Sequence, residues 1–224
     1  MVTQQVHPEG PLSTITDRGD TSRRVIAYTF DAGGGSGSAR QILDHLKHND
    51  LPSSFGLTGM WVNANPAHAR RIATDGHHLI NHTWDHRSFT GSSSGASALS
   101  RASRLWQIQA AEAKFQSVMG KGSRPYFRPP YGDIDDTVRR DVGAVGFTKI
   151  IMWTFDSLGW AGLTSEQICA RLKRAIDNDS RGGNGMILLF HVGCQPDADA
   201  LPWITTFLRS KGFAFGTVPH VLAP

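Results

Sequence analysis

A chain of 224 residues is long enough to bury one sizeable core, and α/β barrels of this length are commonly single domains. The longest apolar runs, such as Met186 to Phe190, are far shorter than the roughly 20 residues of a membrane-spanning helix, so no membrane span is predicted. The net charge of +4 suits an anionic partner such as a bacterial wall, but the basic residues are scattered rather than clustered, which argues against nucleic-acid binding.

Residues 1–22 are polar and aperiodic, and they are predicted to form an arm or loop before a domain that spans residues 23–224. They lack a basic start followed by an apolar core, so no signal peptide is predicted in this sequence. Two locations stay open: a secreted or cell-wall protein whose signal is absent from this sequence, and a cytoplasmic protein.

Apolar periodicity predicts strands and helices that alternate along the rest of the chain. Strands are expected at residues 23–30, 53–57, 78–81, around Phe127, and at 147–155, 186–190 and 213–217. Helices are expected at about residues 38–49, 66–75, 98–119, 134–145, 165–177 and 201–211. This alternation predicts an α/β fold, a distorted and incomplete (β/α) barrel of about seven strands.

Several polar side chains lie at or just after the predicted strand ends, where α/β barrels place their chemistry. Asp31 ends the first strand and is followed by three glycines, and His191 ends the strand at 186–190. His82 and His86 follow the third strand; on a helical turn, residues four apart face the same way and can ligate one metal. Taken singly, each also has an ordinary interpretation as a helix cap or a packed or loop histidine.

The two cysteines, Cys169 and Cys194, are expected at a helix start and in a loop after a strand end, both on the functional face. A disulfide between them would indicate export, whereas two unpaired thiols would carry no such meaning. The sequence leaves both alternatives open.

Five motifs in order make the chain resemble the polysaccharide deacetylases of the NodB-homology type, carbohydrate esterase family 4. The motifs are Thr29-Phe30-Asp31, His82-Thr83-Trp84-Asp85-His86, Arg128-Pro129-Pro130-Tyr131, Asp156 through Trp160, and Leu189-Phe190-His191. The resemblance implies a distorted (β/α) barrel that removes N- or O-acetyl groups from chitin, peptidoglycan or xylan with a divalent metal, commonly zinc.

The resemblance also implies a role for each matching residue. Asp31 matches the base that activates a metal-bound water, Arg128 the arginine that orients this base, and His191 the acid that protonates the leaving group. His82 and His86 match metal ligands, and Tyr131 matches the residue whose backbone N–H holds the developing oxyanion. The positions implied to contact substrate are Trp160 and Leu189, at the acetyl-methyl pocket, with Pro130 and Asp156.

Two positions depart from the family pattern. Ala32 stands where the family has an aspartate as third metal ligand, so zinc is expected to bind more weakly, by at least the roughly 10–100-fold typical of changes around a metal site. Gly159 stands where the family commonly has an aspartate that tunes the acid histidine, so His191 is expected to have a less raised pKa and to be a weaker acid.

Three functional hypotheses follow. The leading one is a deacetylase acting on amide acetyls of a peptidoglycan or chitin-like polysaccharide. The second is a catalytically impaired barrel that binds glycan without turnover, as the changes at Ala32 and Gly159 suggest, and the third is a hydrolase of a small amide. Substrate choice is expected to reside in loops such as residues 88–96 and 192–200, and the sequence is silent on the oligomeric state.

Overall fold

The computed structural model describes residues 9–224. Within them lie nine short strands: β1 (Thr14–Thr16), β2 (Val25–Ala32), β3 (Ser54–Leu57), β4 (His78–Asn81), β5 (Tyr126–Phe127), β6 (Lys149–Ile151), β7 (Phe155–Asp156), β8 (Ile187–His191) and β9 (Ala214–Gly216). The same residues form eight α-helices: α1 (Ala39–His48), α2 (Gly59–Ala64), α3 (Pro66–Thr74), α4 (Arg101–Met119), α5 (Asp136–Ala144), α6 (Ser165–Asn178), α7 (Gln195–Ser210) and α8 (Val218–Leu222). None of these helices combines the length and hydropathy that crossing a membrane requires.

The strands form one curled parallel sheet in the order β1-β6-β5-β4-β3-β2-β8-β7, with β9 added beside the first half of β2. Strands β1 and β7 end this order at opposite sides, so the sheet is an incomplete barrel. The predicted fold class is therefore confirmed, although residues 9–224 contain nine strands rather than about seven.

The predicted strand at residues 147–155 is two strands, and they lie at opposite ends of the sheet. Strand β6 pairs with β1 and β5, whereas β7 pairs with β8. Between them, the Met152 N–H donates to the Thr16 carbonyl at 2.8 Å and the Thr154 N–H donates to the Ile187 carbonyl at 3.0 Å. This short connection crosses the gap between the sheet's two ends, which an unbroken strand could not do.

Part of the predicted N-terminal arm belongs to the sheet. Strand β1 pairs in parallel with β6, and the Arg18 guanidinium forms an ion pair with Asp179 at 2.8 Å. Residues 1–8 of the predicted arm lie outside the described residues. An arm or loop is thus the wrong description for residues 14–16, whose period-2 signal is too short to stand out in the sequence.

The central strand β2 is buried along its whole length, and its two faces differ in character. Tyr28, Phe30 and Ala32 pack into the main apolar cluster with side chains from the surrounding helices. Full burial of each aromatic ring contributes on the order of 2 kcal/mol. Because side chains alternate along a strand, Thr29 and Asp31 point to the opposite face, inside the barrel.

Helix α7 begins six residues earlier than expected, at Gln195 rather than Leu201. Pro196 occupies its first turn, where proline is tolerated because the first N–H groups of a helix have no partner within the helix. Residues 195–200, expected to be part of a substrate-binding loop, are therefore helical. This change brings Asp197 to the end of strand β8, as described below.

Candidate active site

Asp31 lies near the carboxyl end of β2, and its carboxylate is almost completely buried. The Arg128 guanidinium donates to Oδ1 at 2.8 Å, and His82 Nε2 lies 3.5 Å from Oδ2. Burial alone would raise the pKa of this carboxyl, but the positive charge of Arg128, together with the neighbouring imidazoles of His82 and His191, holds the pKa below its usual value. Asp31 is therefore ionised at neutral pH and can accept a proton.

Arg128 is fully buried and is fixed by bonds on every side of its guanidinium. Besides the bond to Asp31, Nη1 donates to the Thr29 hydroxyl at 3.0 Å, Nε to the Ile151 carbonyl at 2.9 Å and Nη2 to the Met152 carbonyl at 3.2 Å. A guanidinium held by two carbonyls and a hydroxyl has little freedom to leave the carboxylate. The structure thus brings Arg128 to the position from which it orients Asp31.

His82 and His86 meet at this site, but not on a helical turn. The segment after β4 is a loop in which Thr83 and His86 have positive φ angles of 70° and 65°. The two imidazole rings lie 4.7 Å apart between centroids. The expected helical turn is wrong, because the left-handed residues fold the loop back on itself and bring the rings together by a different route.

Each imidazole is suited to bind a metal as a neutral ligand. His82 Nδ1 lies 2.9 Å from the Arg128 carbonyl, which can only accept, so Nδ1 carries the proton and Nε2 is free. Burial lowers the pKa of His82, and burial together with the nearby His82 lowers the pKa of His86 to about 4. No group of three or more His, Cys, Asp or Glu side chains converges on a metal position within residues 9–224. The fit is thus to two nitrogen ligands, with Asp31 as the nearest carboxylate.

Ala32 stands at the position where the family has its third metal ligand, and it is buried in the main apolar cluster. Its carbonyl accepts from the Thr58 N–H at 3.0 Å and from the Thr58 hydroxyl at 3.2 Å. The residue therefore contributes to packing beneath the cleft.

His191 ends β8 directly beside Asp31 in the parallel register. Its Nδ1 lies 3.6 Å from the carboxylate of Asp197, a residue of α7 that belongs to none of the five motifs. Burial alone would lower the pKa of His191, but Asp197, Asp31 and Asp156 raise it. The expectation of a histidine without a carboxylate partner, drawn from Gly159, is corrected by the structure.

A cleft of about 780 Å³ opens above these groups. Its lining includes Asp31, His82, His86 and His191. It also includes four residues that the motifs place near the substrate: Tyr131, Asp156, Trp160 and Leu189. Pro130 is buried, and its neighbour Pro129 lines the cleft. The structure therefore gathers polar, aromatic and apolar groups from five strand ends around one cavity.

Two aromatic residues form the walls of this cleft. Tyr131 has a positive φ of 61° in the short turn Pro130–Gly132, and its ring lies 4.8 Å from that of His86. Trp160 is 60% exposed, and its indole N–H donates to Asp156 Oδ2 at 3.4 Å. Its ring lies 6.5 Å from that of His191, so Trp160 stands where it can cover a group bound beside that histidine.

The two cysteines are free thiols in the structure. Cys194 lines the cleft, and burial raises the pKa of its thiol to about 11, so it is a neutral thiol at physiological pH. Cys169 lies on α6, where its sulfur is 3.9 Å from the Ala200 carbonyl. Of the two alternatives that the sequence left open, the structure contains unpaired thiols.

The sequence model of the polysaccharide deacetylase family matches residues 18–150, more than half of the chain, and the protein belongs to this family. Among curated relatives it is 26% identical to YlxY of Bacillus subtilis over 226 aligned positions, covering 99% of this chain and 66% of YlxY. It is 29% identical to the peptidoglycan-N-acetylmuramic acid deacetylase PdaC of Bacillus subtilis, covering 90% of this chain and 39% of PdaC. The chain thus spans less than two thirds of either relative.

Solved structures of family members share the fold. The PdaC structure is 28% identical with a TM-score of 0.76, covering 90% of this chain and 91% of that one. A mutant of BA3943, a CE4 family pseudoenzyme with restored enzymatic activity, is 25% identical with a TM-score of 0.82, covering 94% of this chain and 72% of that one. The predicted membership in a family of carbohydrate deacetylases is confirmed.

Proposed function

We propose that this protein is a metal-assisted deacetylase that hydrolyses amide acetyl groups of peptidoglycan. The observation that carries this proposal is the placement of the buried Asp31 carboxylate and the His191 imidazole on adjacent strand ends beside one cleft. Amide hydrolysis needs a base that takes a proton from water and an acid that gives one to the departing nitrogen. Asp31 and His191 supply these two functions.

We propose that His82 and His86 hold a divalent metal, zinc, because the lowered pKa of each favours a neutral imidazole facing the cleft. When bound, such an ion lowers the pKa of water and polarises the acetyl carbonyl. A lowered water pKa matters here because Asp31, with its pKa held below the usual value, is a weak base. Two protein ligands rather than three should give loose binding.

The chain's own residues account for the proton transfers. Asp31 accepts the proton as the water oxygen bonds to the acetyl carbon, and Arg128 keeps the carboxylate in place. As the C–N bond breaks, His191 donates its proton to the nitrogen, which leaves as an amine while acetate is released. The raised pKa of His191 increases the fraction of imidazolium available near neutral pH.

The remaining residues of the cleft bind and orient substrate in this proposal. The backbone N–H of Tyr131 donates to the developing oxyanion, while Trp160 and Leu189 cover the acetyl methyl group. Asp156 fixes the Trp160 indole and accepts from the Leu158 N–H at 3.0 Å, and so shapes this wall. An apolar wall favours a methyl group over water, which would direct acetyl groups to this position.

Peptidoglycan is the proposed substrate because the relative PdaC is a peptidoglycan-N-acetylmuramic acid deacetylase. The net charge of +4 is compatible with attraction to an anionic wall. Action on this polymer implies a place outside the cytoplasmic membrane, so we also propose a secreted or wall-associated location.

A second candidate is a catalytically impaired barrel that binds glycan without turnover. Two observations favour it: Ala32 in place of a carboxylate ligand, and the similarity to BA3943, a CE4 family pseudoenzyme. In this case the aromatic cleft would remain a sugar-binding surface while the metal site stays too weak to support hydrolysis.

Acetate release from peptidoglycan, chitin oligomers and acetylxylan, with added zinc and with chelator, separates the two candidates. We expect chelator-sensitive release from peptidoglycan, reduced at least about 100-fold by Asp31→Asn and by His191→Ala. Asp44→Asn, an exposed residue of α1, is the control and should match the parent. Undiminished release by both active-site variants contradicts the mechanism, and glycan binding without release from any substrate supports the second candidate.

A further inference from the structure

We propose that Asp197 is the positioning carboxylate of His191, brought by helix α7 into the space that a side chain at residue 159 would occupy. The contact between the two residues stands on geometry alone, whereas its consequence for acetate release rests on the proposed function. The inference assigns a role to a residue outside all five motifs.

Asp197 contacts both the backbone and the side chain of His191. Asp197 is completely buried, and its Oδ2 accepts the His191 backbone N–H at 2.6 Å and lies 3.6 Å from Nδ1 of the same residue. Its Oδ1 has no hydrogen-bond partner among residues 9–224. A fully buried carboxylate is costly unless an opposite charge compensates it. When protonated, the neighbouring His191 imidazole provides that charge.

The two nitrogens of the His191 ring lie in different surroundings. Nδ1 of His191 is buried, has no hydrogen-bond partner among residues 9–224 and lies at an ion-pair distance of 3.6 Å from Asp197 Oδ2. The imidazole as a whole is 25% exposed and lines the cleft. A carboxylate beside Nδ1 favours a proton there and leaves Nε2 to exchange protons with a bound molecule. Asp197 therefore acts through His191 and does not itself contact the substrate.

Gly159, the first residue of the turn Gly159–Ala161, leaves free the space in which the Asp197 carboxylate lies. A Cβ built on Gly159 would lie 2.3 Å from Asp197 Oδ1, 3.0 Å from Cγ and 3.5 Å from Oδ2, and these are its three nearest atoms. A side chain at residue 159 and the Asp197 carboxylate therefore exclude each other. The space beside His191 can be occupied either by a side chain from the turn at residue 159 or by a side chain from α7. In this protein it is occupied by Asp197 of α7.

Because the two side chains exclude each other, the carboxylate can be moved from residue 197 to residue 159 as a test. We compare Asp197→Asn, Asp197→Ala, the double variant Asp197→Ala/Gly159→Asp and the double variant Asp197→Ala/Gly159→Ala. The last of these fills the space without a carboxylate. Asp199→Asn, an exposed residue two positions further along α7, controls for the loss of one acidic residue from this helix.

The first measurement is the pKa of His191 by NMR titration, with its signal assigned by loss in His191→Gln. We expect a decrease of about one unit or more in Asp197→Asn and Asp197→Ala, recovery in the Gly159→Asp double variant, and no recovery in the Gly159→Ala double variant. The other ionisable groups that face this imidazole, Asp31, Asp156, His82 and His86, are the same in every variant.

The second measurement is the pH profile of acetate release. We expect the high-pH limb to move down in pH and activity at pH 7 to fall at least about tenfold in Asp197→Asn, with partial rescue in the Gly159→Asp double variant. An unchanged His191 pKa in Asp197→Asn, or equal recovery in the two double variants, overturns the inference. If Asp197→Ala does not fold, Asp197→Asn decides. If the parent protein releases no acetate, the proposed function fails, and the NMR titration still decides the role of Asp197.

Discussion

Asp31 and Ala32 are adjacent in the chain but belong to different environments. Asp31 lies in the cleft, held by Arg128, and Ala32 lies in the main apolar cluster. A carboxylate placed at residue 32 would therefore begin in an apolar environment and would need a cation to compensate it. If a metal binds at His82 and His86 as proposed, a carboxylate at residue 32 would couple metal binding to the stability of the protein.

We predict that Ala32→Asp destabilises the metal-free protein and tightens zinc binding. Without metal, the new carboxylate is buried without a partner, at a cost on the order of 2–5 kcal/mol in unfolding free energy. With zinc, the new carboxylate should turn out of the apolar cluster toward His82 and His86. As a third ligand it should raise the affinity at least about tenfold, so the increase in Tm on adding zinc should exceed that of the parent. Calorimetric titration and thermal denaturation with zinc or chelator measure both effects.

Ala32→Asn is the matched control, because it has nearly the same shape without the negative charge. It should lose stability without gaining comparable zinc affinity. Equal zinc affinities for the parent and Ala32→Asp would show that residue 32 does not reach the metal.

The bounds of strands and helices are predicted best where a local sequence pattern is enough to define the element. Strand β4 lies at the predicted residues, and helices α1 and α6 lie within a residue or so of the predicted bounds. The strand ends that carry Asp31 and His191 were also predicted, because a buried apolar run ending in a polar residue is a local signal. Those two strand ends are neighbours in the sheet.

The prediction of secondary structure from the sequence is wrong where contacts between distant parts of the chain determine the local structure. Residues 152–154 interrupt the strand predicted at residues 147–155, because Met152 bonds to β1 and Thr154 bonds to β8. Asp197 was missed because Gln195-Pro196-Asp197 looks like a loop, although proline followed by an acidic residue is also typical of a first helical turn. Asp197 contacts His191 only because α7 packs against the end of β8, and a local sequence pattern does not reveal this packing.

Strand pairing also makes Gly56 of β3 a determinant of the site. It lies directly beside Asp31 in the register, and a Cβ there would be 2.2 Å from Asp31 Oδ1. We predict that Gly56→Ala displaces the carboxylate from Arg128, lowers kcat/KM for acetate release by roughly 100-fold and costs about 1–3 kcal/mol of stability. Steady-state kinetics and urea denaturation measure the two losses.

Gly37→Ala is the control for this substitution, because a Cβ at Gly37 meets no atom within 4 Å. It should retain the activity and stability of the parent. Full activity in Gly56→Ala would mean that Asp31 can move without losing its function, contrary to the ion-pair geometry.

For the whole molecule, buried neutral histidines link stability to pH. Burial lowers the pKa of His77 and of His78, at the start of β4, to about 4 in each case. Both ring nitrogens of His77 lack a hydrogen-bond partner among residues 9–224, so no bond within this part of the chain compensates a proton there. The unfolded chain, with a histidine pKa near 6.5, binds more protons than the folded chain between about pH 6.5 and 4. Their contribution to stability is therefore complete above pH 6.5 and is lost as the pH falls toward 4.

We predict that His77→Leu reduces this loss. At pH 7.5 its unfolding free energy should lie within about 1 kcal/mol of the parent, because an apolar side chain replaces a buried ring whose nitrogens are unpaired within the described chain. Between pH 7.5 and 5.0 the decrease should be smaller than in the parent by on the order of 1–2 kcal/mol, since one buried group no longer titrates. Urea denaturation at both pH values measures it, with His48→Leu, an exposed histidine of α1, as control. Equal pH dependence in His77→Leu and the parent would contradict the prediction and assign the acid sensitivity to other groups.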